Sequence, residues 1–182
     1  MAKKEMYWTA YAKHINKVVK KGRVTVQRVE DRIYITDSYT MACVCPWQYE
    51  EMRRVCGLLD PMPEGAPGYQ VDGANGYSKR ETDMTGCVTF WTTAKEYTRQ
   101  AARLPLIVDI DDKRQARYYK AGADIISIDI KYSALLDAAG YPMRTSNTGA
   151  VSPIISADDD GFGILALPIR LKPQLMPGEI LA

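Results

Sequence analysis

Ala123-Asp124-Ile125-Ile126-Ser127-Ile128-Asp129-Ile130 is the stretch on which the fold turns. Ile126, Ile128 and Ile130 alternate with Ser127 and Asp129, and strict alternation marks a strand with one buried face. Without a break the chain runs into Lys131-Tyr132-Ser133-Ala134-Leu135-Leu136-Asp137-Ala138-Ala139-Gly140. There Tyr132, Leu135, Leu136 and Ala139 recur at helical spacing, and Gly140 supplies the stop. Two apolar runs follow, Val151-Ser152-Pro153-Ile154-Ile155 and Gly163-Ile164-Leu165-Ala166-Leu167-Pro168-Ile169-Arg170-Leu171. Between them lies Asp158-Asp159-Asp160-Gly161, and Asp-Gly is a hairpin signal. The expected unit is a strand, a short helix and at least two antiparallel strands.

The other end of the chain repeats the plan. Trp8, Tyr11, Ile15, Val18 and Val19 form an apolar stripe at three- and four-residue spacing, which predicts a helix over residues 8–21. Lys13, Lys17, Lys20 and Lys21 fall on its other side, with His14 at the edge, and Gly22 ends it. Alternation then predicts strands in residues 23–29, 33–36 and 41–46, a meander. The fold class expected is α+β, with two half-repeats of one helix packed on antiparallel strands.

At these residues the chain resembles the bacterial DNA polymerase processivity factors, the β sliding clamps. In that family a strand runs into a helix of the form N-x-K-Y-L-L-D-A-L, matched here by Asp129 to Ala138. The family closes with S-P-hydrophobic and M-P-hydrophobic-R-L, similar to Ser152-Pro153-Ile154 and Leu167-Pro168-Ile169-Arg170-Leu171. Ile33 to Ala42 is similar to the clamp strand L-x-x-x-A-T-D-G-H-R-L-A. Clamps carry three similar domains, and 182 residues leave room for one. The expected organisation is therefore one clamp-like domain over 1–182. Its first half covers about 1–46, an insertion about 47–103, the second half about 104–171, and a tail 172–182.

Within the insertion, residues 48–59 read as a short helix. Asp60 to Gly86 is rich in Gly and Pro and resists regular assignment. Cys87 to Trp91 reads as a strand, and Thr92 or Thr93 as the cap of a helix through Ala102. Leu104 to Ile110 and Ala116 to Lys120 read as two strands turning at Asp111-Asp112-Lys113.

Composition narrows the function. The chain is 46% hydrophobic and 25% charged, ordinary for a globular protein, and its net charge of +2 leaves room for a locally basic face. No run approaches about 18 apolar residues, so no membrane partner is expected. Met1 to Glu5 is followed by no apolar core, so a cytoplasmic location is expected. Cys43, Cys45, Cys56 and Cys87 form no C-x-x-C pair and His14 is the single histidine, so reduced thiols are expected and no metal or other cofactor.

Two sites follow. Spaced ammonium groups with no base-reading partners suit a phosphate backbone, although such a stripe also serves as a solvated helix face. The resemblance implies the first role, because clamp helices line the hole through which duplex DNA passes. Lys13, Lys17, Lys20, Lys21, Arg23 and Lys131 are the expected DNA-contacting residues. The resemblance also implies a hydrophobic groove for short peptides of replication proteins. Its matching positions are Thr36, Ser38, Tyr39 and Met41, with Leu167, Pro168, Ile169 and Arg170. Met41, Leu167 and Ile169 equally suit a buried core.

Asp109, Asp111 and Asp112, with Asp124 and Asp129, raise a third possibility, a carboxylate- and Mg²⁺-dependent nuclease. Turn chemistry accounts for Asp111-Asp112, and no nucleophile or phosphate loop accompanies them. The expectation is thus a non-catalytic clamp-like protein acting on duplex DNA or replication proteins, as a homo-oligomer if it forms a ring. A protein-interaction or regulatory module, from a phage or mobile element, that keeps the fold without binding DNA is the alternative.

Overall fold

The computed structural model describes residues 6–147, 149 and 151–169. Helix α1 (Tyr7–Val18) leads into an antiparallel meander, β1 (Arg23–Val29), β2 (Arg32–Thr36) and β3 (Thr40–Val44). Near the other end, helix α4 (Ile130–Ala139) leads into a second meander, β10 (Met143–Thr145), β11 (Ile154–Ala157) and β12 (Gly163–Ala166). The two meanders join where β12 pairs with β3, Leu165 opposite Met41. The central strand order β1-β2-β3-β12-β11-β10 is therefore symmetric about that junction. This is a mixed α+β fold with antiparallel sheets.

Alternation explains the layers. Ile33, Ile35, Ala42, Val44, Ile154, Ile164 and Ala166 point to one face, where Tyr11, Ile15, Tyr132 and Leu136 of α1 and α4 cover them. Tyr34, Met41, Cys43, Ile155 and Leu165 point to the opposite face. Because both faces are covered, β3, β11 and β12 are buried at every position.

The cover on the second face is helix α3 (Thr85–Ala94), through Met84, Trp91 and Ala94. The sequence predicted a strand over 87–91, and the structure corrects it to this helix. Met84, Cys87, Val88, Trp91 and Ala94 are spaced for a helix, and burial of that face outweighs the strand preference of Val88, Phe90 and the threonines. Trp91 donates its indole N–H to the Gly161 carbonyl, tying α3 to the β11–β12 turn.

The rest of the 47–103 segment is also ordered. Helix α2 (Pro46–Val55) starts two residues earlier than predicted, with Pro46 in its first turn. Gln48 reaches back to the Cys45 N–H at 2.9 Å. The stretch expected to lack regular structure contains a hairpin, β4 (Tyr69–Asp72) and β5 (Ser78–Glu81), which extends the main sheet beyond β1. The helix expected through Ala102 is not formed: α3 stops at Ala94, and at the opposite end of the sheet β6 (Arg99–Gln100) adds to β10. Gly73 binds the hairpin to the end of α1. Its N–H donates to Gly22 at 3.0 Å, and a Cβ there would overlap the Val19 carbonyl.

Strands β7 (Ala102–Asp111), β8 (Arg114–Ala121) and β9 (Asp124–Asp129) form a separate three-stranded sheet. Its edge strand β7 carries Pro105 within a break in pairing register, between Arg103 and Ile107, where a missing N–H does least harm. The alternation predicted for β9 is modified. Ser127 and Asp129 are buried along with Ile126 and Ile128: the segment at Ile169 bonds to Ser127, and Asp129 lies at the start of α4. Ile130 already belongs to the helix, and Asp129 caps it by accepting the Lys131 N–H at 3.1 Å. Gly140 ends α4 in the left-handed conformation, φ 76°.

Candidate functional site

Residues of α1 and the turn after it (Ala10 to Arg23), of the Asp37–Tyr39 turn and of α4 (Lys131 to Leu135) line a cleft of about 920 Å³. Lys13, Lys17, Lys21, Arg23 and Lys131 line it. Five of the six cations predicted from sequence thus converge on one opening. Lys20 does not line it. Helix α1 ends at Val18, so the stripe expected to continue to residue 21 is interrupted before Lys20. No acidic residue lies in α1. Lys17 and Lys21 have no ion-pair partner among the described residues, whereas Arg23 holds Asp72 at 2.8 Å. That guanidinium, with Asn75, keeps the Asp72 carboxyl below its usual range. Lys131 is 3.9 Å from Asp129 and sits 4.5 Å from the centre of the Tyr132 ring.

The cleft floor is built from His14, Asp37 and Tyr132. His14 Nε2 donates to Asp37 Oδ2 at 2.7 Å, since an ionised carboxylate only accepts. Asp37 Oδ1 accepts from the Tyr39 N–H at 3.0 Å, the Thr40 N–H at 2.7 Å and the Thr40 hydroxyl at 2.9 Å. Burial pushes the Asp37 carboxyl up, but His14 and these N–H groups outweigh it and hold it below the ordinary range. The Tyr132 ring meets His14 edge-on at 5.7 Å and lies parallel to Tyr39, 6.1 Å away at 16°. Burial, then Asp37 and Asp129, raise the Tyr132 phenol above its usual range, so it stays neutral.

Asp37 also shapes a tight turn. Ser38 takes φ 74°, a left-handed conformation, and its N–H donates to the Thr36 hydroxyl at 3.0 Å. Tyr39 is thereby turned outward and is 59% exposed.

On the far side of this turn is a second cavity, of about 390 Å³. Thr36, Ser38, Tyr39, Met41 and Leu167, all predicted as groove residues, line it together. Pro168 and Ile169 are half-buried and are not among its lining residues. Ile169 is instead held to β9, its N–H donating to Ser127 and its carbonyl accepting the Ser127 hydroxyl, each at 2.8 Å. Arg170 lies outside the described residues. Met41 is buried, so it forms the floor rather than an open wall. Sequence reasoning missed the opposite wall, Met84, Cys87 and Phe90 of the α3 segment, because that segment was read as a strand. Its periodicity was the available signal.

The carboxylates weighed for catalysis are explained by turns and pairs. Asp111 accepts from Arg114 at 2.7 Å and from the Lys113 N–H at 3.0 Å, and Asp109 accepts from Gln115 at 2.8 Å. Asp124 pairs with Arg99 at 2.7 Å. Among the described residues no group of three or more His, Cys, Asp or Glu is placed to hold a metal ion. The four cysteines carry free thiols, and burial pushes that of Cys43 up to about 12. No helix among the described residues is long and apolar enough to cross a membrane. No protein-family model, curated protein or solved structure matches the chain.

Proposed function

We propose that this chain is a non-catalytic, clamp-like protein that associates with duplex DNA through the cleft between α1 and α4, without reading sequence. One observation carries the reading: Lys13, Lys17, Lys21 and Arg23 share one opening with Lys131, which lies more than a hundred residues further along the chain. Lys13 and Lys17 are one helical turn apart, about 6 Å along the axis, and ammonium groups spaced along a helix suit a phosphate backbone. Of the other polar groups that line it, His14 and Asp37 are bonded to each other and Arg23 to Asp72, so affinity and not specificity is its output. The symmetric pair of helix-then-meander units supports the clamp-like architecture, as does the left-handed Ser38 where the clamp strand has glycine. A ring around DNA requires several copies of so short a chain.

A labelled duplex of arbitrary sequence tests this by fluorescence anisotropy. Wild type should bind it, and the triple variant Lys13→Glu, Lys17→Glu, Lys21→Glu should not, with its thermal melt little changed. Lys20→Glu should cost less than any single cleft lysine. Absence of wild-type binding at low salt would defeat the reading.

The second cavity favours an accompanying role in peptide docking. Met84, Phe90 and Leu167 give it apolar walls over a floor of buried Met41 and Leu165, with Ser38, Gln70 and Thr82 among its polar groups. A peptide of a replication protein with two spaced apolar anchors and one polar residue suits those walls. Phe90→Ala should weaken such binding. A protein that bound the peptide and no DNA would instead be the interaction module.

A further inference from the structure

The cleft combines two kinds of group that phosphate binding alone does not need. Beside the cations stands Tyr39, 59% exposed, on the rim of the opening. Its ring lies parallel to Tyr132, 6.1 Å away. Tyr132 is itself buried against His14 and the α1–α4 interface. Tyr39 is thus braced on one side and open to solvent elsewhere. Its backbone is equally restrained, because its N–H is held by Asp37 and its carbonyl accepts the Leu167 N–H at 2.9 Å. A rigid, exposed ring beside a row of ammonium groups is the arrangement by which proteins hold unpaired nucleotides: cations track the backbone and a base stacks on the aromatic face. Duplex DNA offers no such base, since its faces are already stacked.

We propose that the cleft takes single-stranded DNA in preference to duplex, with one base stacked on the open face of Tyr39 as an extension of the Tyr39–Tyr132 pair. The inference rests on the nucleic-acid reading of the cleft and refines its substrate class. Lys13, Lys17 and Lys21 bind the phosphates on either side of the stacked base. Tyr132 acts as a positioning residue behind Tyr39, and Lys131, 4.5 Å from the Tyr132 ring centre, helps to hold that support. Stacking is tolerant of base identity because every base has a π-face, so little sequence preference is expected.

The test compares the affinities of a labelled oligothymidine and a duplex of equal length, in wild type, Tyr39→Ala and Tyr39→Phe. Folding of each variant is checked by circular dichroism. Wild type should favour the single strand. Tyr39→Ala should lower the single-strand to duplex affinity ratio by about tenfold, the typical effect of removing one stacking partner. Tyr39→Phe should retain the ratio, because the ring and not the hydroxyl does the stacking. A 2-aminopurine base in the oligonucleotide should be quenched on binding wild type and Tyr39→Phe but not Tyr39→Ala. Equal affinity for both DNAs in wild type, or a preference that survives in Tyr39→Ala, overturns the stacking inference while leaving the cleft a DNA site. Failure to bind either DNA overturns the reading of the cleft itself.

Discussion

Asp37→Ala is the substitution that most directly tests how the turn between the two cavities is held. Asp37 is 6% exposed and accepts from His14, Tyr39 and both donors of Thr40, at 2.7–3.0 Å. Thr40 is itself 1% exposed, and its hydroxyl also meets that of Tyr11 at 3.1 Å. Alanine would leave the Thr40 N–H buried without a partner, which costs about 1–3 kcal/mol, and would remove the charge-assisted bond to His14, about 1.5–3 kcal/mol. The expected loss is about 3–5 kcal/mol, a large share of the roughly 5–15 kcal/mol that a domain has. Urea denaturation followed by far-ultraviolet circular dichroism measures it as a fall in midpoint at unchanged slope. Asp37→Asn, which keeps one acceptor, should lose less. The same interactions fix a pH dependence. Because the folded carboxyl lies below its unfolded value of about 3.9, its stabilisation is complete above that pH and is lost as pH falls through the folded value. Wild type should therefore lose stability faster than Asp37→Ala below about pH 4. A loss under about 1 kcal/mol for the alanine variant, or parallel acid profiles, would refute this account of the turn.

Other predictions concern the cleft and the packing around it. If about four cleft cations each displace a counterion, duplex affinity should fall roughly a hundredfold between about 50 and about 200 mM salt, measured by anisotropy. Leu165→Ala, in a fully packed strand, should cost about 2–5 kcal/mol, and Leu167→Ala, on a cavity wall, clearly less; paired thermal melts check the order. Gly73→Ala should destabilise by about 1–3 kcal/mol, because the β4–β5 hairpin must move away from Val19 to make room; chemical denaturation reads this. Trp91→Ala should cost about 3–5 kcal/mol by the same measurement, since Trp91 is the largest fully buried side chain and anchors α3 to the sheet.

What the sequence determined by itself is what neighbouring residues decide. The stripe of α1, the Asp129–Gly140 run into α4 and the Asp-Gly hairpin between β11 and β12 are legible because helical period, caps and turn residues act within a few positions. The lysine stripe of α1 is legible for the same reason, whereas Thr36, Ser38, Tyr39 and Met41 are singled out by the resemblance to clamps alone. Tertiary structure decided the rest. Helix α3 forms where β-branched residues argue for a strand, because Met84, Trp91 and Ala94 have the back of the main sheet to cover. The hairpin Tyr69–Glu81 has little local signal and is ordered by pairing with β1, which lies more than forty residues earlier. Lys20 leaves the cleft because α1 stops at Val18, where the chain is pinned against Gly73. The β3–β12 junction, the closeness of α1 to α4 and the buried Asp37 all depend on contacts between distant segments. Such contacts form only once loop closure is offset by burial, so no local pattern could report them.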